Sequence, residues 1–229
     1  MNSSNLITLQ GVSKIYGKGE IKVLALDSID LRIAEGEFTA ITGHSGSGKS
    51  TLMNILGCLD TPDSGKYMLS GRNTAEMREA ELNRIRNCMI GFIFQGFNLI
   101  PTMTALENVE LPLLYRGINR IDRHRMAMDA LGEVGLIKRC SHLPGQMSGG
   151  QCQRTAIARA IASRPSVILA DEPTGNLDSA SGGEVTQTLS DLWRDGHTIV
   201  LITHDPSLAA KAQRIVCIGD GKIISDNYT

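Results

Sequence analysis

The sequence predicts an α/β fold built on a mostly parallel sheet, and three observations carry that prediction. First, the short apolar runs Phe38–Thr42, Val167–Asp171 and Thr198–Thr203 each end in a glycine-containing, acidic or polar loop. Such runs read as buried strands, and in a parallel α/β sheet the loops gather at the C-terminal strand ends, where ligands bind. Second, the loop after the first run, Gly43-His44-Ser45-Gly46-Ser47-Gly48-Lys49-Ser50, fits the spacing G-x-x-x-x-G-K-[ST] and leads into a helical pattern. Third, a region of helical periodicity over roughly residues 75–162 separates the first run from the second and reads as an inserted subdomain.

The elements follow in order. Leu6–Leu9, Val23–Leu26 and Ile29–Ile33 read as short strands, with Gly17 and Gly19 marking a turn. After Phe38–Thr42 a helix is expected over Thr51–Leu59, ended by Gly57 and then by Pro62 with Gly65. Helices are expected over Glu76–Cys88, Ala105–Tyr115, Arg120–Val134 and Gly150–Ser163, with Pro112 kinking or shortening the second. Gly91–Phe94 reads as a strand leading to Gln95. Helices over Gly182–Asp195 and Ser207–Ala212 alternate with the last two apolar runs. A hairpin, Arg214–Ile218 and Lys222–Ile224, closes the pattern around Asp220-Gly221.

Composition narrows the class. The chain has 229 residues, 41% hydrophobic and 21% charged, enough for a substantial core. Lys plus Arg is 23 against 24 for Asp plus Glu, a formal charge of -1, so nothing favours nucleic acid as a partner. No apolar run reaches the length of a membrane span, and the first residues lack the basic start and apolar core of a secretory signal. The five cysteines show no C-x-x-C spacing, which argues against a zinc site or disulfide frame and for a reduced, cytoplasmic setting.

The first loop carries the clearest chemistry. Glycines at Gly43, Gly46 and Gly48 let backbone N–H groups wrap a phosphate chain, with Ser45, Ser47 and Thr51 in the same cradle. Lys49 adds a point charge at the β/γ-phosphates, Ser50 a hydroxyl ligand for Mg²⁺, and the following helix aims its positive end at the same place. Asp171 ends an apolar strand, where a Mg²⁺ ligand belongs. Glu172, beside it, suits the base that orients or deprotonates an attacking water. His204 ends the third run and suits a γ-phosphate contact, whereas an isolated histidine there would read as core. Gln95 suits Mg²⁺ or the lytic water, with an ordinary surface turn as the alternative. A second cradle, Ser148-Gly149-Gly150-Gln151, opens the last helix of the inserted region. Two cradles and a carboxylate pair point to a nucleotide hydrolysed between two copies of the chain.

Together these residues resemble the ATP-binding cassette (ABC) ATPase family, along the whole chain. Ser148-Gly149-Gly150-Gln151 is similar to its signature, Gln95 to its Q-loop, Asn176-Leu177-Asp178 to its D-loop and His204 to its switch histidine. Tyr16 stands where the family places an aromatic that stacks on adenine. The resemblance implies a P-loop NTPase core with a mostly parallel sheet, an N-terminal antiparallel β-subdomain and an inserted α-helical subdomain. One domain is expected over 1–229, with 1–94 and 163–229 as core and β-subdomain and 95–162 as helical subdomain. It further implies an ATPase using ATP and Mg²⁺, and a homodimer in the ATP-bound state in which each P-loop is covered by the partner's Ser148 and Gly150. The second cradle then supplies donors for γ-phosphate charge that one P-loop leaves uncompensated.

The short spacing between Gln95 and Ser148 leaves no room for the long coiled coil of the DNA-repair relatives, and a single P-loop excludes the tandem cassettes of translation-factor relatives. The segments Ser50–Asp60 and Phe97–Val109 resemble the macrolide-exporter and lipoprotein-release branch. That branch implies a separate membrane permease, optionally with a periplasmic adaptor, and peripheral placement on the inner face of the cell membrane. Residues 96–146 are expected to hold the groove for the permease, with Leu99, Ile100, Leu111 and Leu114 divided between groove and core. A non-transporting scaffold or regulator, of the cell-division or iron–sulfur-assembly type, is the alternative; a kinase or GTPase would leave Ser148–Gln151 unexplained. No regulatory domain or fused permease is expected after the closing hairpin, and a stand-alone subunit and a cassette of a longer chain both fit. Met147 and Cys152 depart from the family pattern. Cys152 lies in the first turn of a helix, where the dipole is expected to lower a thiol's pKa; it reads first as a tolerated small residue, with an oxidisable brake as the alternative.

Overall fold

Two units make up the computed structural model, which describes residues 5–17 and 22–229: one of Met1–Asn83 with Gly196–Thr229, the other of Arg84–Asp195. In the first, β1 (Asn5–Tyr16) and β2 (Val23–Ala34) pair antiparallel, with Ile7 opposite Ile33, Leu9 opposite Leu31 and Val12 opposite Ile29. β4 (Ser64–Leu69) adds to the other side of β1, and β5 (Arg72–Asn73) completes a sheet of order β2-β1-β4-β5. The sequence reading split β2 in two, and the reason is local. Leu26 and Ile29 are three residues apart yet both buried, and Ser28 takes a left-handed φ of 54° between them. The register shifts at that point, which returns both side chains to one face. The expected turn at Gly19 lies outside the described residues.

The β4–β5 pair is a correction to the sequence reading, which left residues 66–73 unassigned. Its apolar content is only Tyr67, Met68 and Leu69, too short for a period to declare itself. Tyr67 is 1% exposed and donates its hydroxyl to the Leu56 carbonyl at 2.8 Å. This unit also holds β3 (Phe38–Thr42), parallel to both β8 (Ile199–Ile202) and β9 (Arg214–Gly219), while β10 (Lys222–Tyr228) returns antiparallel to β9. Helix α1 (Lys49–Leu56) buries Leu52, Met53, Ile55 and Leu56. It begins two residues before, and ends three residues before, the expected span. Gly57 closes it with an N–H donated to Met53 O at 2.8 Å. The short α7 (Pro206–Ala209) is capped by Asp205.

In the second unit, β6 (Ile90–Phe94) and β7 (Val167–Asp171) run parallel, with Phe94 opposite Asp171. Helices α3 (Ala105–Tyr115), α4 (Arg120–Glu133), α5 (Gly149–Ile161) and α6 (Ser179–Arg194) complete it; α2 (Glu79–Cys88) contains the division between the units. Each of the four has a side-chain cap: Thr104 with Glu107, Asn119, Ser148 with Gln151, and Asp178. Such caps satisfy first-turn N–H groups that would otherwise lack partners. The Gly182-Gly183 pair hid the true start of α6 from the sequence reading. Asp178 nevertheless starts it, accepting from Ser181 N at 2.9 Å. Pro112 lies inside α3 without ending it, and the helix stops at Tyr115. Asn108, fully buried, holds the loop before α3 by donating to the Ile100, Met103 and Thr104 carbonyls at 3.1, 3.0 and 3.0 Å.

Candidate nucleotide site

In the first unit the Gly-rich loop joins β3 to α1. Gly43, Gly46 and Gly48 all take positive φ, at 150°, 78° and 106°. A Cβ on Gly48 would stand 2.5 Å from the Ala25 carbonyl, and one on Gly43 would collide with the Ile218 carbonyl. Any side chain at these two places would push the loop out of shape. Lys49 donates its ammonium to the Gly43 and His44 carbonyls, both at 2.8 Å, and so lies across the curve of the loop. Gly48 caps α1 without a side-chain bond, so the first-turn N–H groups of α1 are not covered by a cap. Ser47 is 1% exposed and its Oγ has no hydrogen-bond partner among the described residues. Ser45, Gly46 and Ser50 are exposed and Thr51 half-buried. This donor-rich, acid-free loop suits an anion.

Tyr16 ends β1, paired with Val23. Its hydroxyl donates to Asp60 Oδ2 at 2.8 Å, and Lys14 Nζ lies 5.3 Å from its ring centroid. Lys14 and Asp60 were not singled out from the sequence. His204 follows β8 and is exposed. Next to it, Asp205 accepts from Ser207 Oγ at 2.7 Å and Ser207 N at 2.8 Å, and these bonds hold its carboxyl below the usual range.

In the second unit, Gln95 stands one residue beyond β6 and Glu172 one residue beyond β7, at the same end of the parallel pair. Glu172 has a φ of 44°, a conformation non-glycine residues hold only when their surroundings impose it. Gln95 and Asn176 bond reciprocally: Gln95 Nε2 donates to Asn176 Oδ1 at 3.1 Å, and Asn176 Nδ2 to the Gln95 carbonyl at 3.1 Å. The chain segment after Glu172 therefore folds back on Gln95. Asp171 is half-buried at the end of β7.

Ser148 caps α5. Its Oγ accepts from Gln151 N at 3.3 Å, while Gln151 Oε1 accepts from Ser148 N at 3.1 Å, so the Gln151 side chain turns back on the cap. Gly150 is buried, and a Cβ there would stand 2.9 Å from Ser181 Cβ; its small size lets α5 approach the start of α6. Asp178, whose carboxyl is lowered by bonds from Ser181 N and Oγ, begins that helix. The structure thus brings Ser148, Gly149 and Gly150 beside the Asn176–Asp178 segment: a Cβ on Gly149 would meet Leu177 at 3.1 Å.

Two further residues of α5 escaped the sequence reading. Gln153, fully buried, donates Nε2 to the Phe94 carbonyl at 3.2 Å and the Pro173 carbonyl at 2.7 Å. It thereby bridges the two turns that carry Gln95 and Glu172. Arg159 donates Nη1 to Asn98 O at 2.5 Å and Nη2 to Phe97 O at 2.8 Å. Cys152 corrects an expectation. It is 7% exposed, its Sγ approaches Pro144 O at 3.5 Å, and burial pushes its pKa up, opposite to the lowering expected from the helix dipole.

Comparison with known proteins places the chain in a family. The family model described as "ABC transporter" matches residues 26–175. The macrolide export ATP-binding/permease protein MacB of Marinobacter nauticus is 52% identical over 226 residues, covering 99% of this chain and 35% of that protein. The pyoverdine export ATP-binding/permease protein PvdT of Pseudomonas syringae pv. tomato is 52% identical over 222 residues, covering 96% and 34%. The chain therefore spans about a third of the length of these relatives. The dimeric structure of a post-hydrolysis state of the ATP-binding cassette MJ0796 bound to ADP and Pi superposes with a TM-score of 0.87 at 44% identity, covering 97% of this chain and 98% of that one. With a family match over most of its length and half its residues shared with these relatives, the chain belongs to the ABC transporter family, as an ATPase cassette.

Proposed function

We propose that this cassette is the motor of an exporter: two copies close around two ATP, and hydrolysis between them drives a membrane permease that exports or extracts its cargo. The observation that carries the reading is the strained Glu172 next to the Gln95–Asn176 pair at one end of β6 and β7. A base and an amide held at neighbouring strand ends suit the orientation and deprotonation of a water attacking a γ-phosphate. In this reading Gly43–Thr51 wraps the triphosphate, Lys49 neutralises its β/γ-oxygens and Tyr16 stacks on adenine. His204 contacts the γ-phosphate of the same nucleotide, while Ser148, Gly149, Gly150, Gln151 and Asp178 reach the partner's.

Mg²⁺ suits the donors available, since the hydroxyl of Ser50, the amide oxygen of Gln95 and the carboxylate of Asp171 are all hard oxygens and the nucleotide supplies the rest. When bound it would neutralise charge on the β- and γ-phosphates. No helix of the described residues is long and apolar enough to cross a membrane, so the permease is a separate domain or chain. MacB and PvdT both carry permeases by name. They differ in named cargo, macrolide against pyoverdine, although each shares 52% identity with this cassette. Cargo choice thus belongs to the permease. The exposed Leu114, Tyr115 and Ile121, at the end of α3 and the start of α4, are the proposed contact for it.

Glu172→Gln tests the reading. The variant should bind ATP, elute as a dimer in ATP and release phosphate at least about a hundredfold more slowly, the lower range for loss of a general base. A variant that hydrolyses ATP at the native rate, or stays monomeric in saturating ATP, would refute it.

A further inference from the structure

We propose that Asp60, together with Lys14, positions the ring of Tyr16 and thereby sets how tightly the site takes an adenine base. The inference rests on the reading of Tyr16 as the base-stacking aromatic, and concerns what makes that ring competent. Tyr16 is 39% exposed at a strand end. A ring so placed would lose rotamer freedom on meeting a base, and that loss weakens binding. Here the freedom is already gone. The Tyr16 hydroxyl is held by Asp60 Oδ2 at 2.8 Å. Asp60 Oδ1 in turn accepts from Lys14 Nζ at 2.6 Å and from Thr61 N at 2.7 Å. Lys14 Nζ also donates to Thr61 O at 2.8 Å.

The Lys14 side chain is 10% exposed, and its ammonium lies 5.3 Å from the ring centroid. A cation over one face attracts the ring's π-electrons and leaves the other face for a purine. The charges of the cluster are self-consistent. Burial is the largest single influence and works against the ionised forms of Asp60 and Lys14, but their hydrogen bond and attraction, the Tyr16 hydroxyl and Thr61 N–H on Asp60, and Asp63 near Lys14 together outweigh it and keep both charged. Burial and the bond to Asp60 both raise the Tyr16 phenol, which therefore remains a donor.

Asp60 is also tied to the phosphate loop. Leu59 N and Asp60 N both donate to Asn54 O of α1, at 2.8 and 3.2 Å. The helix that begins at Lys49 therefore anchors the base platform through Asn54 and Asp60, and fixes the span between the triphosphate cradle and the ring. No separate loop has to find the right length when nucleotide arrives.

Steady-state ATP hydrolysis, with inorganic tripolyphosphate as a competing inhibitor that has no base, tests this. Asp60→Ala and Tyr16→Phe should each raise KM for ATP about five- to tenfold, the scale of immobilising one side chain on binding, with kcat of Asp60→Ala and tripolyphosphate inhibition of both unchanged. The double variant should fall well short of the product of the two singles, since they share the Tyr16–Asp60 bond. Tyr16→Phe deletes only the hydroxyl and should fold even where Asp60→Ala does not; because Thr51 also bonds that hydroxyl, unchanged tripolyphosphate inhibition separates the Asp60 effect from one on the phosphate loop. If Tyr16→Ala raises KM while Tyr16→Phe and Asp60→Ala do not, the ring stacks without needing Asp60 and the proposal fails alone. If Tyr16→Ala also leaves KM unchanged, the stacking role falls with it. Equal weakening of ATP and tripolyphosphate by Asp60→Ala would make Asp60 a support of the phosphate loop, and would equally overturn the assignment.

Discussion

Arg159 offers the sharpest test of how the loop after Gln95 is held. Phe97 and Asn98 both have left-handed φ, at 59° and 51°. Such a backbone costs an L-residue roughly 1–2 kcal/mol each, so the pair stores about 2–4 kcal/mol. Their carbonyls converge on the Arg159 guanidinium at 2.8 and 2.5 Å. Hydrogen bonds from a charged donor contribute about 1.5–3 kcal/mol each, about 3–6 kcal/mol for the two, which is enough to offset the strain. Burial lowers the guanidinium's pKa and no carboxylate pairs with it among the described residues, so the two carbonyls are its main compensation. In Arg159→Met the aliphatic stem is kept but the donors are lost, and the loop relaxes to release its strain. The net loss is then about 1–2 kcal/mol, the difference between bonds lost and strain released, which lowers Tm by about 2–8 °C for a chain of this size. Thermal unfolding measures the first quantity, and amide hydrogen exchange of the peptide spanning 95–99 measures loop release. Unchanged Tm together with unchanged exchange in that peptide would refute the clamp. Asn98→Gly separates the effects, because relief of strain there balances the greater entropy of glycine and Tm should hardly move.

Four further outcomes follow from the same geometry. Gly150→Ala should lower stability, because overpacking against Ser181 costs about 1–3 kcal/mol and exceeds the gain of about 1 kcal/mol that alanine normally brings to a helix; Ser181→Gly in the same chain should restore Tm by differential scanning calorimetry. Gln153→Met should destabilise by about 1–3 kcal/mol, because the buried Pro173 carbonyl loses its donor while Phe94 O keeps the Phe97 N–H, and removal of Oε1, which has no partner among the described residues, offsets part of the loss; urea unfolding reads this. Buried Cys152 should resist iodoacetamide at neutral pH while the half-buried Cys88, Cys140 and Cys217 react first, as followed by peptide mass spectrometry. The capping carboxyls Asp178 and Glu107 lie below their usual range because bonds from Ser181 and from Thr104 favour the ionised form; their stabilisation is present above the ordinary carboxylate pKa and disappears as pH falls through the lowered values, and Asp178→Asn should flatten that acid limb of a Tm-against-pH profile.

What the sequence revealed and what it hid divide along physical lines. The Gly43–Ser50 loop was legible as a tight turn between strand and helix because its glycines and their spacing lie within one short segment. Strand ends carrying Asp171, Glu172 and His204 were legible because buried parallel strands are uninterrupted apolar runs. The Ser28 irregularity was not, since a single inserted residue makes one strand look like two. β4 and β5 were missed because their length gives no period. The partners of the functional residues were hidden for a different reason: Lys14 meets Asp60 across 46 positions, Gln153 meets the Phe94 carbonyl across 59 and Arg159 meets the Asn98 carbonyl across 61. Two of those three bonds end on backbone carbonyls, which every residue carries and no side-chain pattern marks. Cys152 went wrong because its place in a first helical turn was legible while its burial was not, and burial outweighs the dipole.

The side chains of α5 suggest why a helix, and not a loop, follows the signature turn. Its first turn holds the Ser148 cap and packs Gly150 on Ser181; Gln153, one turn on, reaches the carbonyls of Phe94 and Pro173; Arg159, nearly two turns further, reaches those of Phe97 and Asn98. A helix is stiff over this length because each residue is bonded four positions away. Any displacement of the 95–98 loop that keeps the Arg159 and Gln153 bonds must therefore move the Ser148 end as well. Breaking those bonds instead would expose buried donors and acceptors, at about 1–3 kcal/mol for each one left unpaired. Moving the helix as one piece is the lower-energy response, so the amide at Gln95 and the serine-glycine turn at Ser148 are mechanically one object. In the function proposed above, a nucleotide engaging the turn would therefore move the 95–98 loop through α5.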